Sequence, residues 1–377
     1  MKRIGLLLCL ICLFATGCGK SKGSEVMEKV DFVVEVEEGR EPIILQLADP
    51  QIIDAGQQRS PQRLSSVEQE FWATDKVEEN CYKYLRDTIT KTHPDLILIV
   101  GDIIYGEFDD SGKAMESFVE FMDSFGIPWA PVFGNHDNES SVGVAWQCER
   151  FERCRYCLFE RGTVSGNGNY TVGIAIGKEL VRVIHMLDSN GCGDSDDPAI
   201  IRSRGLFPDQ LELIRDNTKR IQKAQNKAVP AFVAFHIPVD CFQKAEETKG
   251  YRKHEEDRYV LGVNVPAKDD DFGFCLETYY PIPTEPGFVD YLRAQNVDGV
   301  FVGHVHNSCI SITYEGIRWT MGLKTGQYDY HIPYQIGGTL ITLNGHSFTV
   351  NHIPSLVPCV SMPGNAPMFS SLFVQHE

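Results

Sequence analysis

The sequence predicts an α/β fold with stacked sheets and helices outside them. From residue 43 to about 302, short apolar runs of strand length alternate with amphipathic runs of helix length. Beyond residue 309 the chain is β-rich with Gly-containing turns. The composition, 42% hydrophobic and 23% charged, is ordinary for a globular protein, and 377 residues suffice for one large α/β domain or two small ones.

The hydrophobic pattern predicts each element. Residues 96–100 (LILIV) form a continuous apolar run, as in a parallel strand buried on both faces. Residues 77–92 are amphipathic and predict a helix. Pro208 and Asp209 open a helix to about Lys227, because Pro fits a first turn and Asp complements the helix dipole there. Further helices are predicted at 114–125 and 288–296, and further strands at 43–48, 129–133, 169–176, 180–187, 229–235 and 299–302.

The N-terminal segment has the features of an export signal. A basic start precedes an apolar stretch, 4–14, that is shorter than the roughly 20 residues of a membrane-spanning helix. It ends in Ala-Thr-Gly before Cys18, which resembles a bacterial lipoprotein processing site with Cys18 lipidated. We therefore expect a cell-envelope lipoprotein, periplasmic or on the outer surface, with plain secretion as the alternative. The expected organisation is a signal peptide (1–17), a tether (18–40), one domain (41–355) and a C-terminal tail (356–377).

Charge and cysteine content limit the partners and the redox chemistry. With 52 acidic and 35 basic residues the net charge is −17, which disfavours nucleic acid and anionic lipid as binding partners. Of 12 cysteines, three lie in the leader, and the odd remainder of nine leaves at least one unpaired if disulfides form. The C-x-x-C of Cys154 and Cys157 permits a structural disulfide, two buried thiols, or a metal or redox function.

Polar side chains follow five of the predicted strands at the point where each strand ends. Functional residues collect beyond the carboxyl ends of strands in such folds, so these side chains are expected to share one site. Carboxylate and amide oxygens with imidazole nitrogens suit Mn, Fe or Zn. The five groups are Asp49 with Gln51, Asp102, Asn135 with His136 and Asp137, His236, and His304 with His306.

The order of these groups, from residue 43 to about 352, resembles the pattern of the calcineurin-like metallophosphoesterase superfamily: D-x-H, G-D, G-N-H-D/E, a lone His and G-H-x-H. The resemblance implies a four-layer fold with two central mixed β-sheets flanked by helices, and a dinuclear metal centre of Fe, Mn or Zn. It implies that Asp102 bridges both ions. By position, Asp49 and His306 complete the first ion's ligands, and Asn135, His236 and His304 bind the second.

One position departs from that pattern, since Gln51 stands where the family usually has His. An amide oxygen is a weaker ligand than imidazole. The run Gly101-Asp102-Ile103-Ile104-Tyr105 matches the G-D-x-x-Y motif of purple acid phosphatases, in which this tyrosine ligates ferric iron and the D-x-H histidine is also missing. That resemblance implies Tyr105 as a ligand of the first ion; the alternative is that Tyr105 only packs near the site.

The resemblance implies a metal-dependent phosphoric ester hydrolase, with hydroxide formed on the metals as nucleophile and a small phosphate ester as substrate. His136 is the expected general acid, oriented by Asp137. We expect a phosphomonoesterase. The alternatives are a phosphodiesterase on the same fold and a non-enzymatic binding lipoprotein with a decayed site, for which Gln51 is the sequence support.

Other segments are open to a functional or a structural interpretation. Residues 188–190 either reach the site or form a turn, and Arg202 and Arg204 either grip phosphate or lie in a solvated loop. Residues 240–285 form a long insertion, expected to act as a lid or substrate wall. Its acidic run, Asp269 to Asp271, lacks the full spacing of a calcium loop. Its aromatic residues, which could pack on a substrate or on one another, are Phe272, Phe274, Tyr279 and Tyr280.

Overall fold

The structure is a computed structural model, and it describes residues 29–54, 56, 77–191, 205–255, 258–261, 270–332 and 335–355. The expected signal peptide, Cys18, Arg202, Arg204, Asp269 and the tail 356–377 lie outside these ranges. Within them, no helix combines the length and apolar character that crossing a membrane requires.

The elements follow the predicted order closely. The strands are β1 (Phe32–Val36), β2 (Ile43–Leu47), β3 (Leu96–Val100), β4 (Trp129–Val132), β5 (Tyr170–Ile176), β6 (Glu179–Met186), β7 (Ala231–Ala234), β8 (Arg252–Glu255), β9 (Arg258–Leu261), β10 (Phe272–Cys275), β11 (Val297–Val302), β12 (Ser308–Tyr314), β13 (Ile317–Met321), β14 (Gly337–Asn344) and β15 (Ser347–Pro354). The helices are α1 (Val77–Thr92), α2 (Lys113–Asp123), α3 (Val144–Arg153), α4 (Pro208–Gln225), α5 (Asp240–Lys249) and α6 (Phe288–Ala294).

Two mixed sheets form the centre of the molecule. A five-stranded sheet has the order β15-β14-β2-β3-β4, and an eight-stranded sheet has the order β1-β5-β6-β7-β11-β13-β12-β10. The strands that carry the candidate ligands, β2, β3 and β4 in one sheet and β7 and β11 in the other, pair in parallel with their neighbours in those groups. Their carboxyl ends therefore open on one edge of each sheet.

The core shows how the layers stack. Along β7, Phe232 and Ala234 belong to the apolar cluster that contains the five-stranded sheet, whereas Val233 belongs to a second cluster with α4, α5 and α6. Alternate residues of a strand point to opposite faces, so the eight-stranded sheet has the other sheet on one face and helices on the other. Helix α1 packs against β2 and β14. The expected α/β fold of two mixed sheets flanked by helices is confirmed.

The first strand corrects the expected tether. Residues 32–36 pair in parallel with β5, so the chain is already part of the sheet within the range 18–40. The carboxylate of Asp31 fixes this strand, because it accepts hydrogen bonds from the backbone N–H and the hydroxyl of Thr171 at 2.7 and 2.8 Å. The strand escaped prediction because it is short, lies at an edge, and carries its buried Val34 and Val36 among acidic residues.

The segment 240–285 is more than a surface loop. It contributes α5, the hairpin β8–β9, and β10 at the edge of the eight-stranded sheet. A buried ion pair anchors it: Arg252 Nε lies 2.8 Å from Glu246 Oε2, and the hydroxyl of Tyr279 donates to Glu246 Oε1 at 2.7 Å. In the acidic run, Asp271 pairs with Lys249 at 2.7 Å and accepts the backbone N–H of Thr313. A structural role therefore accounts for Asp271.

The cysteines that the structure describes carry free thiols, including Cys154 and Cys157. Burial raises the pKa of the Cys157 thiol well above its usual range. The two side chains are partly buried, and a thiol that stays neutral is neither a good nucleophile nor a ready metal ligand, which favours the interpretation of this C-x-x-C as packing.

Candidate metal centre

The candidate site lies where the carboxyl ends of the two sheets meet. The five-stranded sheet contributes residues just after β2, β3 and β4, and the eight-stranded sheet contributes residues just after β7 and β11. All lie at the ends of parallel strands, as the sequence predicted. In this order the residues are Asp49, Asp102 and Asn135, then His236, His304 and His306.

Ligand-type atoms in this cleft fall into two groups that share one carboxylate. Within each group, one such atom from every residue lies within 4.8 Å of those of the others. We call Asp49, Asp102 and His306 the first metal position, and Asp102, His236 and His304 the second metal position. Asp102 belongs to both, as expected for a bridging carboxylate.

Individual contacts show how close these groups are. His306 Nε2 lies 3.4 Å from Asp49 Oδ1, and His236 Nε2 lies 3.2 Å from Asp102 Oδ2. Backbone N–H groups hold the carboxylates from the outer side: His136 donates to Asp102 Oδ1 at 2.8 Å, and His304 donates to Asp49 Oδ2 at 3.0 Å. The site is thus assembled by contacts between chain segments that are far apart in sequence.

The backbone at these positions adopts an uncommon conformation. Asp49, Gln51, Asp102 and His304 have φ angles of 52°, 47°, 49° and 73°, in the left-handed region that residues other than glycine rarely occupy. Such conformations cost energy and cluster at functional sites.

Two motif glycines leave room for the carboxylates. A Cβ on Gly303 would lie 2.7 Å from Asp49 Oδ2, and one on Gly134 would overlap Asp102 Oδ1. Any larger residue at either position would push the carboxylate out of the cleft. This explains the glycine that precedes His304 in G-H-x-H and the glycine that precedes Asn135 in G-N-H-D.

The histidine tautomers leave lone pairs directed at the cleft. The Nδ1–H of His236 donates to the Val100 carbonyl at 2.8 Å, and that of His306 donates to the Tyr330 carbonyl at 3.1 Å. Each Nε2 is therefore free to bind a metal, and the backbone contact fixes the ring. His236 Nε2 faces the Asp102 carboxylate, whereas the buried Asn135 Oδ1 has no hydrogen-bond partner among the described residues. Buried polar atoms are rarely left unpaired, so Asn135 Oδ1 fits a metal ion.

The electrostatics of the cleft favour a cation. Burial alone would lower the pKa of His236, but the charges of Asp102 and Asp49 and the hydrogen bond to Asp102 together outweigh it and raise that pKa to about 9. Burial would raise the pKa of Asp102, yet the neighbouring His236 holds it below its ordinary value. The carboxylates therefore remain charged, and without metal they draw a proton onto the neighbouring imidazole.

The partner of His136 differs from the expected one. Both oxygens of Asp137 accept backbone N–H groups, from Ile104 at 3.0 Å and Gly134 at 2.7 Å, so this carboxylate braces the two ligand loops. Glu139 takes the orienting role, with its Oε2 2.8 Å from His136 Nδ1. The spacing of three residues within a single helical turn, His136–Glu139, is the sequence signal that identifies this pair.

Tyr105 lies beside the centre but contacts His136. The two rings are stacked with centroids 4.1 Å apart, and Tyr105 is buried. Its role as a metal ligand stays a prediction. The stacking gives His136 a second constraint, since Glu139 holds the ring edge and Tyr105 covers one face.

Gln51 is paired with a residue that the sequence did not point to. Its Oε1 accepts a hydrogen bond from the ammonium group of Lys324, and its Nε2 lies 3.5 Å from Asp102 Oδ2. Lys324 is only 3% exposed and also donates to the Asp49 carbonyl at 3.0 Å. The segment that contains Lys324 lies next to the end of β2, because Ala48 and Lys324 form an isolated parallel β-bridge.

Two further features border the cleft. The Asp188 carboxylate accepts the backbone N–H groups of Asn167 and Asn190, so residues 188–190 form a turn, which lies against Asn135 through Gly191. On the other side, Tyr330 lies over the ring of His306 with centroids 4.4 Å apart, and its hydroxyl donates to Glu277. Tyr330 is 37% exposed and forms part of the wall that a ligand would meet.

The chain is similar in sequence to proteins of one known family. A family model described as calcineurin-like phosphoesterase matches residues 43–308. Similar proteins include two from Arabidopsis thaliana: "Probable inactive purple acid phosphatase 28", 42% identical over 284 residues, and "Probable inactive purple acid phosphatase 14", 26% identical over 277 residues. Each alignment covers 67% of this chain, and 62% and 63% of those proteins, respectively, so the chain spans less than two thirds of either relative.

Among solved structures, a dimetal phosphatase from Danio rerio is similar at 13% identity and a TM-score of 0.47, covering 84% of this chain and 96% of that one. Because the family model covers well over half of the sequence, the chain belongs to the calcineurin-like phosphoesterase family.

Proposed function

We propose that the protein is a metal-dependent phosphoric ester hydrolase with two metal ions, acting on a small phosphate monoester. The observation that carries the proposal is the sharing of Asp102 by two groups of ligand-type atoms. A shared carboxylate can hold two cations roughly 3.5–4 Å apart, the arrangement of two-metal phosphoryl hydrolases. The unpaired Asn135 Oδ1 supports the second of the two positions.

The proposed ligands are Asp49, Asp102 and His306 for the first ion, with Tyr105 as the further predicted ligand, and Asp102, Asn135, His236 and His304 for the second. Fe, Mn or Zn suits this donor set. When bound, such ions lower the pKa of water towards neutrality and offset the negative charge of the phosphoryl group. Hydrogen bonds to the backbone hold proposed ligands from both sheets.

His136 is the proposed donor of the proton that the leaving oxygen needs. Glu139 holds the ring through Nδ1, which leaves the opposite nitrogen, Nε2, to act on the substrate. Glu139 and Asp102 raise the pKa of His136 to about 10 although burial opposes them, so the ring carries its proton at neutral pH.

We also propose that the protein is exported and lipidated at Cys18, which would place it at the cell envelope.

The test measures hydrolysis of p-nitrophenyl phosphate and bis-p-nitrophenyl phosphate by the protein loaded with Mn, Fe or Zn, together with metal content and the visible spectrum. We expect the monoester to be the faster substrate. Asp102→Asn should lose both metal and activity, whereas the control Asp216→Asn, an exposed carboxylate, should lose neither. A coloured iron form whose colour is lost in Tyr105→Phe would support Tyr105 as a ligand.

A second candidate function is a non-hydrolytic phosphate-binding role. Two observations favour it: Gln51 is engaged by Lys324 at a position where the family has a ligand, and the similar plant proteins are named as probably inactive. Metal-loaded protein that binds inorganic phosphate but hydrolyses neither ester would support this role over the enzyme.

A further inference from the structure

The Gln51–Lys324 pair makes the two metal positions different. Lys324 is buried, and its ammonium donates to two oxygens, the carbonyl of Asp49 and the side-chain Oε1 of Gln51. Both acceptors belong to the loop that carries the first metal position. Among the described residues, no buried lysine or arginine is hydrogen-bonded in this way to the ligand residues of the second position.

The pair fixes the orientation of the Gln51 amide. With Oε1 directed at Lys324, the Nε2 group faces the cleft and lies 3.5 Å from Asp102 Oδ2. The Gln51 side chain therefore presents N–H donors to the cleft, and not the lone pair of its amide oxygen. Turning the amide over would present oxygen to a metal, but it would also leave a buried ammonium facing an NH2 group, which is costly.

The pair also places the ammonium of Lys324 next to Asp49; burial lowers the pKa of this group, and the charge of Asp49 opposes that effect. Screening by water is weak at a residue that is 3% exposed, so the ammonium opposes an incoming cation more strongly than a surface lysine could. At Gln51 the first position thus meets an amide NH2 group and not a lone pair, and a buried ammonium is its neighbour. The second position combines Asp102, His236 and His304, and the buried Asn135 Oδ1, which the proposed function assigns to it, has no hydrogen-bond partner among the described residues.

We propose that the two metal positions bind divalent cations unequally, and that the Gln51–Lys324 pair keeps the first position weak and exchangeable while the second holds its ion firmly. The inference rests on the proposed function in taking both groups as metal positions. It follows that the protein changes between a one-metal and a two-metal form as the concentration of free metal varies.

The experiment titrates chelator-stripped full-length protein with Mn²⁺ by calorimetry and counts the ions retained after gel filtration. We expect two binding steps separated by at least tenfold in affinity, with one ion per chain retained. Mn²⁺ spin resonance then reports a lone ion at one equivalent and a coupled pair at excess. Two equally tight equivalents would overturn the inference, and no binding at all would overturn the proposed function instead.

Variants test the cause of the inequality. The double change Gln51→His with Lys324→Met supplies an imidazole and removes the charge. The affinity gap, which is the ratio of the Mn²⁺ affinities of the two binding steps, should therefore narrow tenfold or more. Gln51→His alone should narrow it less, because the ammonium remains. Lys227→Met, at an exposed lysine, is the control and should leave the gap unchanged. A double variant with the original gap would refute the role of the pair. Should that variant fail to fold, the titration of the unmodified protein still decides whether the positions differ.

Discussion

At the scale of single residues, the candidate ligands could be located from the sequence, but the residues that support them could not. Asp49, Asp102 and the histidines stand in short motifs with fixed spacing, and the structure brings them together. Lys324 donates a hydrogen bond to Gln51 although the two residues are 273 positions apart in sequence. No local sequence pattern predicts a contact between residues so far apart. Asp137 was given the wrong role for a related reason, since an acid next to His136 was preferred to one a helical turn away.

Glu139 gives a prediction at this scale. Glu139→Ala removes the carboxylate that orients His136, so we expect esters with poor leaving groups to slow by roughly 10²-fold, the lower range for lost acid catalysis. Activated aryl esters should slow much less, and metal content should not change. The measurement compares kcat for an alkyl phosphate and p-nitrophenyl phosphate.

Two further variants separate orientation from simple damage. Glu139→Gln keeps an oxygen that can accept from Nδ1–H, so it should recover part of the alkyl ester rate. Glu149→Gln changes an exposed glutamate on α3 and should behave as the unmodified protein. Equal slowing of both ester types in Glu139→Ala would count against the orienting role.

At the scale of elements, apolar runs predicted the central strands well because those strands are buried on both faces. Strands β2, β3 and β7 need nothing beyond their own sequence to be recognised. Elements at the periphery were harder to predict. Strand β1 depends on Thr171 for its anchoring, and α5 and β10 lie in a segment whose charged composition suggested a loop. Their structure comes from partners elsewhere in the fold.

The buried ion pair between α5 and β8 leads to a prediction for this segment. Arg252→Ala would leave the buried Glu246 without its cation, which costs about 3–5 kcal/mol of unfolding free energy. Urea unfolding at constant pH and metal content measures this loss. The exposed Arg293→Ala is the control and should cost less than about 1 kcal/mol.

A paired replacement tests the cause of that loss. Glu246→Leu combined with Arg252→Met should destabilise the protein less than Arg252→Ala alone, since no buried charge is left unpaired. A double variant as unstable as the single one would show that packing, and not charge, anchors the segment.

At the scale of the whole molecule, the layered arrangement could be anticipated because the order of elements restricts how sheets and helices can stack. The precise strand order could not: β13 lies between β11 and β12 in the sheet although it follows both in sequence. Global stability depends on groups that the sequence does not mark, such as His185.

His185 predicts how stability depends on pH. It is buried on β6, and burial lowers its pKa to about 4 from an ordinary value near 6.5. The unfolded chain therefore binds a proton between these values that the folded chain does not, so stability falls as pH decreases below 6.5. We expect His185 to contribute a loss of about 2 kcal/mol between pH 7 and pH 5.

The measurement is urea unfolding of the metal-free protein at both pH values, compared with His185→Leu. Between pH 7 and pH 5, the unfolding free energy of this variant should fall by about 2 kcal/mol less than that of the unmodified protein. His346→Gln, at an exposed histidine, is the matched control and should follow the unmodified protein. An identical pH dependence in His185→Leu would refute the assignment.

The origin of the ligands in two separate sheets has a consequence for the lifetime of the protein in a cell. An ion held by Asp102 from one sheet and His236 from the other ties the two halves of the core together, so its binding energy adds directly to the energy of holding the fold closed. Opening of the core becomes rarer in proportion to metal occupancy. Where degradation acts on the opened chain, the amount of this protein would follow the metal supply, independently of any effect of the metal on catalysis.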